Sequence, residues 1–126
     1  MKLMTKELRK KIPPLYSQEN VKDPIVYAKY FMPDSHWTWY VLEFDGKDTF
    51  FGYVDGDYQE LGYFSLTELE SIRGPLGLEV ERDLYWKPKP LSEVKKEISE
   101  YSSNVGIPKS LLSEMFPNVR FKNLSF

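Results

Sequence analysis

Between positions 33 and 70 the chain concentrates nine of its 19 acids. Asp34, Glu43, Asp45, Asp48, Asp55, Asp57, Glu60, Glu68 and Glu70 stand there against one base, Lys47, and beside the only histidine, His36. Carboxylates at this density suggest either oxygen ligands for a divalent cation or an acidic surface for a basic partner. The same segment holds HWTWYVLEF (36–44), which puts Trp37, Trp39, Tyr40 and Phe44 into one run. Such rings can stack bases, anchor a partner, or fill a core.

Each chemistry makes a demand on spacing. Pro33-Asp34 followed by Asp45-Gly46-Lys47 has the residue types of the PD-(D/E)xK metal nucleases. If 37–44 is one strand, however, Asp34 and Asp45 end up about 30 Å apart at roughly 3.3 Å per residue, too far to share a metal. Asp55, Asp57 and Glu60 cluster on one turn, but the EF-hand loop they begin is incomplete, and Asp45 and Asp48 belong to the opposite end of the middle strand. Asp34, Ser35 and His36 are adjacent in sequence, which does not make a triad, since triad members converge from separate elements. Asp34-Ser35 reads as a turn opening a strand. No phosphate loop or dinucleotide fingerprint is present, and Gly74-Pro75-Leu76-Gly77 has the wrong spacing. No catalytic residue, metal or cofactor is assigned, and a binding protein is favoured over an enzyme.

Charge separates the binding hypotheses. Residues 1–32 sum to +4, residues 33–70 to -8 and residues 71–126 to +2, for a net charge of -2. A stacking surface for nucleic acid needs cations to hold phosphates, yet here the rings sit in the acidic third. Nucleic-acid binding would instead use the basic start of the chain, Lys2, Lys6, Arg9, Lys10 and Lys11. Zero cysteines remove disulfides and thiol chemistry and fit a reducing compartment. MKLMTKELRKKIPP is charged and amphipathic, with no apolar signal region, and no run approaches the roughly 18 apolar residues of a membrane helix. A cytoplasmic protein without membrane contact is expected.

The elements that must position these residues follow from periodicity. Thr5 caps a helix over Lys6–Ile12 that Pro13-Pro14 stops. VYAKYF (26–31) reads as a strand. WTWYVLEF (37–44), TFFGYV (49–54) and ELGYFS (60–65) are three more, joined by tight turns at Asp45-Gly46 and Asp55-Gly56, a dipeptide that tolerates positive φ. Strict alternation puts Trp37, Trp39, Val41 and Glu43 on one face, with Tyr40, Leu42 and Phe44 on the other. Both faces are largely apolar and need cover. Ser65 with Glu68 forms a capping box for a helix carrying Leu66, Leu69 and Ile72. LGLEVERDLYW (76–86) alternates as a half-buried strand, with Arg82 free to reach an acid of the meander. Ser92 caps a helix with the stripe Val94, Ile98 and Tyr101, and Pro108 starts another with Leu111, Leu112, Met115 and Phe116. One domain over 1–126 is expected: α+β, an antiparallel meander of about four or five strands with packed helices.

The strings PDSHWTWYVLEFDGKDTFFGYVDG and ELGYFSLTELESIRGPLGLEVERDLYWKPKPLSEV resemble the domain of unknown function 2958 family, from MKLMTKELRKKIP nearly through Val94. The resemblance implies a small bacterial protein of plasmids, phages or integrative elements, and it brings no activity or catalytic residues. Proteins of that kind often bind host or defence proteins. The expectation is therefore an accessory protein of a mobile element that contacts such a partner through Trp37, Trp39, Asp45, Asp48, Asp55, Asp57 and Glu60. The alternatives are a nucleic-acid-binding accessory protein using the basic helix and a carboxylate metal hydrolase. Oligomeric state is left open.

Overall fold

A computed structural model of the protein describes residues 1–104. In chain order it contains α1 (Lys6–Lys11), β1 (Ile25–Val26), β2 (Ala28–Phe31), β3 (Thr38–Phe44), β4 (Thr49–Asp55), β5 (Gln59–Ser65), α2 (Leu66–Ser71), β6 (Glu81–Arg82), β7 (Lys89–Pro90) and α3 (Leu91–Asn104). A five-stranded antiparallel sheet runs β5-β4-β3-β2-β6, and β1 pairs with β7 in a second, two-stranded sheet. The α+β meander is thus the fold.

Helices cover both faces, as two apolar faces require. On one, Leu8 and Ile12 at the end of α1 and Leu66 and Leu69 of α2 pack with Tyr30, Trp39, Val41, Phe44 and Phe50. On the other, Leu91 and Val94 of α3 join Val26, Tyr40, Leu42 and Tyr53. Thr5 accepts the Leu8 N–H at 3.1 Å and Ser65 accepts the Glu68 N–H at 3.2 Å, so two of the three expected caps form.

Strict alternation fails in β3. Val41 pairs with Gly52 and Glu43 with Phe51, leaving Leu42 as a bulge that shifts the parity of everything after it. Phe44 therefore joins the face of Trp39 and pairs with Phe50, while Glu43 turns to the face of Phe51. There Glu43, only 3% exposed, accepts the N–H groups of Tyr16 and Gln18 at 2.8 Å each. These bonds hold the 13–24 connection, in which Tyr16 has a left-handed φ of 70°.

The two hairpin turns are built differently. Gly46 has φ +85°, and Asp45 Oδ1 accepts the N–H groups of Lys47, Asp48 and Thr49. Gly56 has no positive φ; it is required because a Cβ there would lie 2.1 Å from the Trp37 ring.

Four further expectations are corrected. The 26–31 strand is split after Val26, since β1 pairs with β7 while β2 pairs with β3 and β6. The 76–86 strand shrinks to Glu81–Arg82, with Leu76, Leu78 and Leu84 exposed. Gly77 at φ +82° and two N–H bonds to Asp34 curl residues 74–78 into a loop instead, and Arg82 donates to the Lys2 carbonyl rather than to an acid. Ser92 lies inside α3, where its N–H and hydroxyl both bond Asp23. The helix expected from Pro108 and the tail after it lie outside the described residues.

Candidate functional site

The end of the sheet where β3 starts, β4 stops and β5 starts carries a cleft of about 770 Å³. Its walls are the 32–37 connection, with Met32, Asp34, His36 and Trp37, and the 72–75 turn after α2, with Ile72 and Arg73. Trp39 completes the floor. The size suits a small ligand or a protruding side chain.

The neighbours of Trp37 fix its position. Its ring stacks on Trp39 at 5.9 Å and 23° and on His36 at 6.0 Å and 28°, with Gly56 pressed against its edge. His36 Nε2 lies 3.7 Å from Asp57 Oδ1, which sets the β4–β5 turn beside the wall of the cleft. The opposite wall hangs on Asp34. Its Oδ2 accepts the Leu76 N–H at 2.8 Å and the Leu78 N–H at 3.4 Å, and Gly74 approaches so closely that a Cβ would overlap the carboxylate. Arg73 sits at the mouth, bonded to the Glu70 and Ile72 carbonyls and paired with Glu79 at 3.3 Å.

The seven acidic and aromatic residues expected at a partner surface do not form one patch. Asp45 and Asp48 lie at the far end of the sheet, about 23 Å away along the seven residues of β4. Both are occupied there: Asp45 caps its own turn, and Asp48 accepts Ser65 Oγ, Thr67 N–H and Thr67 Oγ1 at 2.5, 2.8 and 2.6 Å. Those hydrogen bonds hold both carboxyls below the usual aspartate range. Trp39 is 6% exposed and can serve as floor but not as an anchor reaching outward. Trp37, Asp55, Asp57 and Glu60 do share the cleft end. Asp55 is half-buried, and desolvation pushes its carboxyl up to about 6. Desolvation, with Asp55 nearby, raises Tyr53 to about 12 and Tyr40 further.

The alternative surfaces fare as follows. Lys2, Lys6, Arg9, Lys10 and Lys11 are all exposed. Arg9 is nonetheless engaged, over the Phe44 ring at 5.6 Å and bonded to the Gly46 carbonyl, so the basic helix leans on the acidic β3–β4 turn. Among the described residues no three His, Asp or Glu side chains are grouped to hold a metal ion. Arg73 and Asp34 were missed as wall residues; a Gly-Pro-Leu-Gly run gave no hint that its N–H groups would find an acid 42 positions away.

An antiparallel sheet covered by helices on both faces, with an open aromatic-lined cleft at its end, makes this a small α+β protein. The chain belongs to the family described as Protein of unknown function (DUF2958), whose model matches residues 3–105. No curated protein and no solved structure matches it. Among the described residues no helix is long and apolar enough to cross a membrane.

Proposed function

We propose that the protein is a non-enzymatic accessory binding protein of a mobile genetic element, acting in the cytoplasm on a host or defence protein. The observation that carries this reading is the cleft, lined by the stacked Trp37 and Trp39 and by His36, which Asp57 approaches to 3.7 Å. A recess of this kind takes one large side chain of a partner as an anchor, while Asp55, Asp57 and Glu60 beside it favour a basic surround. Asp45 and Asp48 are not contact residues in this reading, because their oxygens are spent on the fold.

The test is capture of partners from host lysate by tagged wild-type chain and by Trp37→Ala and Asp57→Lys variants, each with and without nuclease. The expected outcome is a near-stoichiometric protein that survives nuclease and is lost from both variants. Retention that disappears with nuclease, or a partner held equally by all three chains, would refute the reading.

A further inference from the structure

One side of the cleft is a row of flat rings, His36, Trp37 and Trp39, stacked at 6.0 and 5.9 Å. Ile72 and Pro75 give another part of the lining an apolar surface. The charges around these walls are unbalanced. Arg73 lines the cleft, but its guanidinium is turned to Glu79 at 3.3 Å and to the carbonyls of Glu70 and Ile72. Beside that neutralised pair stand Asp34 in the wall and Asp57 at 3.7 Å from His36. Glu60 joins them, since register sets it opposite Val54 and Val54 opposite Trp39, on the cleft's face of the sheet. Asp34 receives the backbone N–H groups of Leu76 and Leu78, and its Oδ1 is buried with no donor among the described residues.

We propose that the anchor this cleft takes is the side chain of an arginine of the partner, its guanidinium laid against the row of rings. The inference rests on the reading that the cleft holds a partner side chain, and it adds that side chain's chemistry. Each part of an arginine meets a matching part of the cleft. The planar cation is attracted to the negative faces of the indoles. The methylene stem covers the apolar surface of Ile72 and Pro75. The positive charge meets the excess of Asp34, Asp57 and Glu60. A leucine or phenylalanine in the same place would strip water from those carboxylates and return nothing to them. A lysine ammonium is a compact, strongly hydrated charge that does not stack on rings. A phosphate or carboxylate would be repelled by the same acids.

The test is titration of the full chain with short blocked peptides that carry arginine, citrulline, lysine or leucine between two glycines. Binding is followed by NMR at the Trp37 indole N–H, assigned with Trp37→Phe. Citrulline keeps the shape of arginine and removes its charge. The arginine peptide is expected to shift that resonance with a Kd in roughly the millimolar range, and the citrulline and leucine peptides to bind about tenfold more weakly. Raising the salt from about 0.05 to about 0.5 M should weaken the arginine peptide several-fold and leave the leucine peptide unchanged. Asp57→Asn combined with Glu60→Gln should cost the arginine peptide about threefold. Equal binding of arginine and citrulline, tighter binding of lysine, or no shift at Trp37 would overturn the arginine anchor. If that happened while a nuclease-resistant partner was still lost from Trp37→Ala, the partner reading would stand without it. Arginine-selective binding together with an empty capture would support the inference and sink the partner reading.

Discussion

Replacing Glu43 probes the bulge and the connection it holds in a single experiment. Its buried carboxylate receives two backbone N–H bonds of 2.8 Å, from Tyr16 and Gln18. A bond to a charged acceptor contributes roughly 1.5–3 kcal/mol, and a buried donor left alone costs about as much. Glu43→Gln keeps one acceptor oxygen but turns an NH₂ toward the second donor, so one bond is lost and the expected cost is about 2 kcal/mol. Glu43→Ala loses both bonds and leaves a cavity at a site 3% exposed, for about 4 kcal/mol. Tyr16 would then hold its left-handed φ without the bond to its N–H. At about 4 °C per kcal/mol for a domain of this size, the Gln variant should melt about 8 °C lower and the Ala variant should approach unfolding. Urea titration and thermal melts by circular dichroism measure this. A Gln variant within about 0.5 kcal/mol of wild type would mean that the two bonds do not restrain the connection, and the reasoning would fail.

Other positions yield sharper yes-or-no outcomes. Gly52→Ala drives a Cβ to 2.0 Å from the Tyr40 carbonyl oxygen in the centre of the sheet, so loss of at least about 3 kcal/mol is expected in chemical denaturation. Gly56→Ala has only the Trp37 ring to displace; the expected result is a changed tryptophan fluorescence spectrum with a smaller stability loss than Gly52→Ala. Asp55 binds its proton more tightly folded, near 6, than unfolded, near 3.8, so stability falls as pH rises from about 4 to 6 and is level above that range. Asp55→Asn should abolish that slope and, after discounting for partial exposure, stabilise the chain at neutral pH by on the order of 1–2 kcal/mol. Stability measured at pH 4, 5, 6 and 7 decides it.

The meander, the caps at Thr5 and Ser65 and the two-sided burial were legible in sequence because each rests on local rules: Asp-Gly turns, a Ser or Thr before an apolar period, and alternation. Parity after Leu42 was not. A bulge is an extra residue whose signature is satisfied elsewhere, here by the Gln18 side chain bonding the Leu42 carbonyl from 24 positions away. The false strand at 76–86 failed for a similar reason, since Asp34 supplies the hydrogen bonds that a strand partner would have given. Of the candidate site, Trp37, Asp55, Asp57 and Glu60 come together as a turn and a strand start must. Asp45 and Asp48 could be assigned to the other end by counting residues, but not their capture by Ser65 and Thr67.

That capture has a consequence for how the molecule opens. Asp48 lies in the β3–β4 turn, yet its carboxylate and its carbonyl both bind the first turn of α2, through Thr67 and the Leu66 N–H. A six-residue helix is too short to persist by itself. Its lifetime is therefore borrowed from the hairpin, through Asp48 and through Leu66 and Leu69 packed with Phe44 and Phe50, and the two segments fray as one cooperative unit. Disturbance of the turn at Asp45–Asp48 would thus travel to Ile72 and Arg73, and the wall of the cleft at the far end of the sheet would loosen without being touched.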